Sequence, residues 1–438
     1  MTLSRWWPHM QIPTSSCLLV VTVTCLAGRA RLEQDIELIS RAPEGLPAND
    51  SSDDCCASAD GTVVAFSSAA SNLVPDDVNG FADIFAWEEG KGIERISVGA
   101  GSVGGNQVSR WPSVSDDGRW VCFASDASNL VPGDDNDERD VFLYDRERNS
   151  LRVVSANGLV WGNGESGWPQ LAGNGSCVVF QSEATNLTTA SQEADIDIFV
   201  FDIGEGTIHL VSKGIGGAHT NDHSWWPSVS QSGRTVVFTS GASNLVENDD
   251  NGFSDVFAYD RELDEMQLIS RTKLGVQANG DSDMAHVSGD GRLVVFSSEA
   301  DNLVSDDENS VWDVFLCDLK TQEIRRLSVG RGDVEVGADS VAPRISPRGD
   351  LVVFASVGNR VVARGYPPAR VFLYRVGVGQ AVRISGESSR SAGTWSGSAE
   401  IASSGEYVVF ASDNPDLVEG DTNGTVDVFR VRVSGEGR

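Results

Sequence analysis

The chain has 438 residues, and its 64 acidic against 33 basic side chains give a formal net charge of -31. A surface this acidic repels phosphate backbones and anionic lipid heads, which sets nucleic acid aside as a partner; it suits solubility, cationic partners or a divalent metal, with a simply well-solvated surface as the alternative. The length alone points to two or three domains, but internal repetition overrides it, because a ring of repeats is one closed unit.

In chain order, the first element is a leader. Arg5 and His9 precede an apolar run from Cys17 to Ala27, followed by small residues at Gly28 and Ala30 and then the polar Arg31-Leu32-Glu33-Gln34. That order predicts a signal peptide over residues 1–30 and a secreted or periplasmic protein, with an uncleaved anchor as the alternative. The run is short for a bilayer span, and no later segment is apolar enough to cross one. Two cysteines, Cys17 and Cys25, leave with this leader. The other five (Cys55, Cys56, Cys122, Cys177, Cys317) have no metal-ligand spacing and read as small buried residues in strands, with a vicinal Cys55–Cys56 disulfide as the alternative.

From residue 35 onward one unit recurs. Phe66, Phe123, Phe180, Phe238, Phe296, Phe354 and Phe410 follow one another at 56 to 58 residues. The second copy shows the pattern: Trp111-Pro112-Ser113-Val114-Ser115, the turn Asp117-Gly118, a strand ending at Ser125, a polar loop, Asp140 to Asp145, and Leu151 to Ser155. These are four short strands, the first two joined by a tight hairpin. Strands apolar on both faces need sheets packed on both sides, which radially stacked blades provide. Pro112, Pro169, Pro227 and Pro343 open the first strand, which suits the edge facing the axis, where no amide is needed. The chain ends three strands into its seventh copy, at Asp427 to Val433, whereas Asp35 to Ser40 reads as a fourth strand with no blade of its own. The expectation is therefore an all-β, seven-bladed β-propeller of four-stranded antiparallel blades over 31–438, closed by the N-terminal strand completing the last blade. The repeat cores lie near 52–97, 111–155, 168–212, 226–270, 284–328, 342–385 and 399–433 with 35–40.

These motifs, Pro-x-hydrophobic-Ser-x-Asp-Gly followed by Asp-hydrophobic-Phe-hydrophobic-x-Asp, resemble the TolB-type, WD-like propeller repeat of bacterial exported proteins. The likeness covers residues 35 to 433. It implies fold more than function, because such propellers serve as partner platforms, substrate gates and binding modules. TolB itself differs in carrying an α/β domain and six blades, so its role is not transferred. No hydrolase domain of the prolyl-oligopeptidase kind is expected within these 438 residues.

Three groups of residues are candidates for chemistry. Five of the seven loops between the second and third strands read Asp-x-Asn-x-x-x-Asp: Asp77, Asn79, Asp83; Asp134, Asn136, Asp140; Asp249, Asn251, Asp255; Asp307, Asn309, Asp313; and Asp421, Asn423, Asp427. Hard cations such as Ca2+ take converging oxygen ligands, and the spacing resembles a shortened, one-carboxylate-poorer form of the integrin-type propeller calcium loop. The structural alternative is that these side chains bond to the backbone and fix the turn. Trp111, Trp168 and Trp226 hold one equivalent position in blades two to four, where Asp54, Met284, Ala342 and Ser398 stand elsewhere. With Trp225, His223 and Trp161 nearby they predict either an aromatic patch for a sugar or peptide or wedges between blades. Two residues further on stand Cys56, Ser113, Gln170, Ser228, His286, Arg344 and Glu400, of which the last three offer a base, a cation and a carboxylate. The adjacent Asp-Gly of the hairpin does not match the sialidase Asp-box, which separates the two.

These features predict an extracytoplasmic, non-catalytic binding or scaffold module for a protein, peptide or glycan. The alternatives are a calcium-stabilised structural or adhesion propeller, and a hydrolase or lyase working in the central channel.

Overall fold

The computed structural model describes residues 36–190, 195–329, 338–357, 369–385 and 394–433. The predicted leader over 1–30, the weakened loop at Ser191–Glu193 and most of the sixth-blade loop (358–368) lie outside them. Seven four-stranded antiparallel sheets follow one another, numbered here as blades 1 to 7. Their first strands are Ser52–Ala57, Ser109–Val114, Ser166–Leu171, Ser224–Val229, Ser282–Val287, Ser340–Ile345 and Ser396–Ile401. Each packs against the first strand of the next blade, and the last packs against the first, so the ring closes.

The repeating phenylalanine explains the core. In every blade the second-strand Phe lies directly opposite a third-strand Phe, as in Phe66 with Phe85 and Phe238 with Phe257, each pair stacked with ring centroids 5.9 Å apart. The apolar core is divided into seven clusters, one per junction between neighbouring blades. Side chains above and below each sheet therefore serve two different wedges, which is why the strands are apolar on both faces.

Two polar pairs repeat with the same regularity. In six of the seven blades the serine that begins the first strand bonds the serine that ends the second, at 2.8 Å for Ser52–Ser68 and 2.9 Å for Ser109–Ser125, whereas Ser340 Oγ in blade 6 is buried without such a partner. Outside blade 6, whose third strand opens on Ala369-Arg370, the serine after the fourth strand donates to the aspartate that begins the third and accepts the following amide, as Ser97 does with Asp83 (2.5 Å) and Ile84 (3.0 Å). These bonds satisfy buried groups at the ends of the strands, where the ladder cannot.

Ring closure follows the expectation. Ile36–Leu38 pairs antiparallel with Asp427–Arg432, Ile36 opposite Val431 and Leu38 opposite Phe429. Ser40 takes the role of Ser97 here, donating to Asp427 at 2.6 Å across the two ends of the chain. One boundary is corrected: the first strands begin three residues before the prolines, at Ser109, Ser166, Ser224 and Ser340. Proline is tolerated there because its register neighbours shift, as between Arg110 and Ser113.

Candidate functional site

Each first strand carries a bulge at its third residue. Asp54, Trp111, Trp168, Trp226, Met284, Ala342 and Ser398 all have φ between 45 and 55°, the left-handed region, and the pairing register shifts at each. Non-glycine residues pay roughly 1–2 kcal/mol for that conformation. The ring repeats this strain seven times at one level, and all seven residues line the same axial space. The bulge turns these side chains toward the axis, so their identity is set by the cavity and not by the sheet.

That space is a cavity of about 470 Å³ lined by all seven first strands. Trp111 and Trp168 stack with centroids 4.2 Å apart and planes 17° apart, and the edge of Trp226 meets Trp168 at 6.4 Å. Trp225 extends the series against Trp226 at 6.1 Å. Trp168 remains 37% exposed, and Arg110 and Arg139 lie over Trp111 at 5.3 and 5.4 Å. Both guanidiniums are held by Asp126, at 2.6 and 2.9 Å. The three tryptophans are thus half-buried in the cavity wall and form one arc over blades 2 to 4. Trp161 is not part of it; it packs edge-on against Phe142 in the wedge between blades 1 and 2. His223 also lies off the cavity lining, where its Nδ1 accepts the Ile196 amide at 3.0 Å.

The second ring of candidates does line the cavity: Cys56, Ser113, Gln170, Ser228, His286, Arg344 and Glu400. Several of them bond the next blade. Ser113 Oγ accepts the Leu171 amide at 3.0 Å, Ser228 Oγ that of Val287 at 3.4 Å, and His286 Nδ1 that of Ile345 at 3.3 Å. Burial, aided by the nearby Arg344 charge, pushes the His286 imidazolium well below its ordinary pKa, so the ring is neutral. Arg344 Nε lies 3.4 Å from Glu400 Oε2, and burial raises the Glu400 carboxyl despite that partner. All three are therefore neighbours, and two of them are already engaged with each other.

The far end of the cavity is drawn together. Backbone amides link successive blades there: Ala59 to Asp116 O at 2.9 Å, Asp116 to Gly173 O at 2.8 Å, Gln231 to Gly289 O at 3.1 Å, and Gly289 to Pro347 O at 3.0 Å. The Asp116 carboxylate then spans to blades 4 and 7, accepting Gln231 Nε2 and Ser403 Oγ, both at 2.5 Å. A β-carbon on Gly173 would stand 2.6 Å from Asp116 Oδ2, so this approach needs glycine. The cavity is consequently a cup, with the tryptophans toward its mouth and Asp116 in its floor.

Sequence reasoning missed the floor, because Asp116, Gln231 and Ser403 occupy a turn position at which the repeats share no residue type. It also missed Trp395, which lines the cup from just before the blade 7 first strand, out of register with the other tryptophans. The buried Asp283, beside the lining residue Met284, was overlooked as well. Burial raises Asp283 to about 7, and burial together with Asp53 raises Asp54. The five remaining cysteines are all free thiols, so Cys55 and Cys56 do not pair.

The Asp-x-Asn-x-x-x-Asp loops behave differently from the oxygen cage that their spacing predicts. Asn79 Nδ2 donates to Asp83 at 2.7 Å and to Gly105 O at 2.9 Å, while its Oδ1 accepts the Phe81 amide at 3.1 Å. Asn136, Asn251, Asn309 and Asn423 make the same donation to Asp140, Asp255, Asp313 and Asp427. The asparagine therefore presents N–H to the aspartate, and its oxygen is used within the turn. In blade 1, Arg95 Nη1 also sits between Asp77 (3.2 Å) and Asp83 (3.4 Å), and in blade 5, Arg326 Nη1 sits between Asp307 (2.9 Å) and Asp313 (3.4 Å). No cluster of three or more His, Cys, Asp or Glu side chains suited to a metal ion occurs among the described residues.

With this geometry in view, comparison with known proteins locates the fold. No family model matches the chain, and no curated protein matches it. Solved structures do. Oligogalacturonate lyase from Vibrio parahaemolyticus aligns with a TM-score of 0.54 at 12% identity, over 92% of this chain and 97% of that one. The β-propeller domain of the Trilobed protease from Pyrococcus furiosus aligns with a TM-score of 0.53 at 12% identity, over 88% and 94%. The likeness is one of fold. TolB from Acinetobacter baumannii is also among the structural neighbours, with a TM-score of 0.39 at 13% identity over 67% of this chain; the chain spans 59% of that protein's length. The Pyrococcus domain is described as having an open velcro topology, whereas here Ile36–Leu38 closes blade 7. Among the described residues no helix is long and apolar enough to cross a membrane.

Proposed function

We propose that the propeller is an extracytoplasmic binding module whose cup receives a cationic or aromatic side chain of a peptide or protein partner. The observation that carries this reading is the exposed Trp168 face within an arc of tryptophans on strained, inward-turned bulges. An indole face left exposed toward an open concavity, at a position where other blades carry Ala342 or Ser398, is more readily explained by a ligand than by the stability of the ring. The cup also offers partners for a cation, with the Asp116 carboxylate in its floor and indole faces that attract cations.

Protein or peptide is favoured over glycan by the surrounding rim. The loops leading into the first strands open on the same end as the tryptophans, and they expose Leu46, Val103, Leu159, Val160, Ile215, Leu274 and Val276. Leu159 and Leu274 are 98% and 92% exposed. Aliphatic side chains on loop tips around a concave centre suit a protein surface, and sugars would be met by polar groups.

Selection of a displayed random-peptide library on the full chain, with a glycan array in parallel, tests the reading. Trp168→Gly removes the indole at a residue whose φ of 50° suits glycine. The expected result is enrichment of peptides with Lys or Arg beside an aromatic residue, and at least tenfold weaker binding to the variant at unchanged melting temperature. Equal binding to the variant would remove the cup from the mechanism.

A second reading, a lyase or hydrolase acting in the cup, draws on the adjacency of His286, Arg344 and Glu400 in the same wall. Single alanine changes at the three positions, assayed on glycan and peptide substrates, separate it from the first.

A further inference from the structure

The seven loops between second and third strands form an internal comparison series. In blades 1 and 5 an arginine from the fourth strand fills the space between the two aspartates. Its Nη2 donates to the carbonyl of the residue before the first aspartate: Arg95 to Asp76 O at 3.3 Å, Arg326 to Asp306 O at 2.6 Å. Blade 4 has Leu268 at that fourth-strand position, opposite Phe257. There Gln277 reaches in instead, donating Nε2 to Asn248 O at 2.8 Å and to Asp249 Oδ1 at 3.5 Å. The same two acceptors, a carboxylate oxygen and the preceding carbonyl, are thus met by a donor in three blades.

Blades 2 and 7 have Val153 and Leu38 in the arginine position, opposite Phe142 and Phe429. In these two blades the equivalent oxygens, Asp134 Oδ1 and Asp421 Oδ1, are buried with no hydrogen-bond partner. Asp421 is only 6% exposed. The second carboxylates, Asp140 and Asp427, are fully buried beside them. A buried carboxylate beside a second one whose Oδ1 is buried and unpaired is costly unless a positive charge joins them. The residue before the first aspartate is glycine in both blades, Gly133 and Gly420, with φ of 92 and 91°.

We propose that blades 2 and 7 each bind a hard divalent cation of the Ca2+ type in the place that arginine takes in blades 1 and 5. The protein ligands are Asp134 Oδ1, Asp140 Oδ2 and the Gly133 carbonyl in blade 2. In blade 7 they are Asp421 Oδ1, Asp427 Oδ2 and the Gly420 carbonyl. Water completes the shell. Asn136 and Asn423 are not ligands, since they turn N–H toward Asp140 and Asp427; they orient the carboxylates instead. Blade 4 is already filled by Gln277 and blades 1 and 5 by arginine, so the five similar loops hold two sites. With two carboxylates each, these sites belong to the weak range of extracellular calcium modules, with Kd on the order of 10⁻⁴–10⁻³ M.

The blade 7 site lies on the seam. Asp427 also accepts Ser40 Oγ, and Asn423 donates to Ala48 O at 2.9 Å, so the cation is held beside contacts between the two ends of the chain. Binding there stabilises the closed ring by mass action.

The test is calorimetric titration of CaCl2 into the full chain after EDTA treatment and dialysis, with melting temperature measured alongside and NaCl of equal ionic strength as reference. Two sites per chain and a raised melting temperature are expected. Asp421→Asn should leave one site, and Asp134→Asn with Asp421→Asn none, whereas Asp77→Asn should leave both. Val153→Arg, which installs the blade 1 arrangement, should remove the blade 2 site in a folded protein. No calcium heat, an equal response to NaCl, or two sites surviving in the Asp134→Asn, Asp421→Asn variant would overturn the proposal.

Discussion

The N-terminal clasp allows a quantitative prediction, because its two apolar residues serve different wedges. Leu38 is buried in the cluster between blades 6 and 7, and Ile39 in the cluster between blades 7 and 1. Truncating either to alanine should cost about 2–5 kcal/mol, the range for buried aliphatic residues whose surroundings cannot fully collapse. The two face different clusters from one terminal strand, so the double change should cost at least the larger single loss, about 2–5 kcal/mol, against a total stability of about 5–15 kcal/mol. Urea unfolding followed by tryptophan fluorescence reads this directly. Blade 4 supplies the control: Leu268 and Ile269 have the same residue types, register and burial in a fourth strand that is covalently continuous with its blade. Leu38→Ala, Ile39→Ala should lower the midpoint at least as far as Leu268→Ala, Ile269→Ala, because the released terminal segment also forfeits its pairing with Asp427–Arg432 and the 2.6 Å ion pair from Glu37 to Arg430. If the clasp pair left the midpoint unmoved while the blade 4 pair shifted it, residues 36–40 would not be what closes the ring.

Other consequences are open to simpler measurements. Gly173→Ala should destabilise by about 1–3 kcal/mol, since its new β-carbon must displace the Asp116 carboxylate from the floor of the cup. Gly45→Ala, at a positive φ in open surroundings, should cost about 1 kcal/mol from backbone strain alone and separates the two effects by denaturant midpoint. Asp283 binds a proton up to about pH 7 in the folded ring but only below its ordinary 3.8 in the unfolded chain; burial is the main cause, with the Asp281 charge adding to it. The folded state therefore holds more protons between those values, and stability should fall as pH rises from about 4 to 7. Asp283→Asn should flatten that fall in urea midpoints measured across pH, and an unchanged slope would contradict the assignment. The buried free cysteines, with their thiols raised by burial, should react slowly with a thiol reagent in the native protein, and all the cysteines should react at once on unfolding.

Much of the fold was legible because it rests on periodic residues with one structural meaning. The recurring phenylalanines mark the second strand, and the partner of each, such as Phe142 for Phe123, follows from antiparallel pairing within the blade. The clasp was readable for a related reason: Asp35 to Ser40 matches a fourth strand, including the serine that pairs with the third-strand aspartate. The cup was readable only in part. Left-handed φ at Asp54, Trp111, Ala342 and Ser398 does not depend on residue type, so nothing in the residues announces a bulge. It arises from the shift of pairing register that all seven first strands share. The loops left two readings open for another reason. Counting Asp and Asn as oxygen donors ignores which end of the amide faces inward, and the Phe81 amide fixes that by donating to Asn79 Oδ1.

The metal question turns on residues that lie outside the motif altogether. Arg95 and Arg326 stand 18 and 19 positions after the aspartates they neutralise, and Gln277 stands 28 after Asp249. A loop motif read alone makes five sites look equivalent; the fourth strands and, in blade 4, Gln277 from the loop that follows divide them into three kinds. In a ring built from near-identical units, the scaffold's requirements are met by whatever the units share, such as the phenylalanine pairs and the serine–aspartate bonds. Residues that break the symmetry are free to serve something else. The tryptophan arc of blades 2 to 4 and the uncompensated carboxylates of blades 2 and 7 are two such breaks, and blade 2 contributes to both. If the blade 2 cation orders the loop after Ser125, it also steadies Asp126, which holds Arg110 and Arg139 over Trp111. Calcium should then tighten peptide binding in the wild type and leave it unchanged in Asp134→Asn, a coupling that the Asp421→Asn variant, altered on the far side of blade 1, should retain.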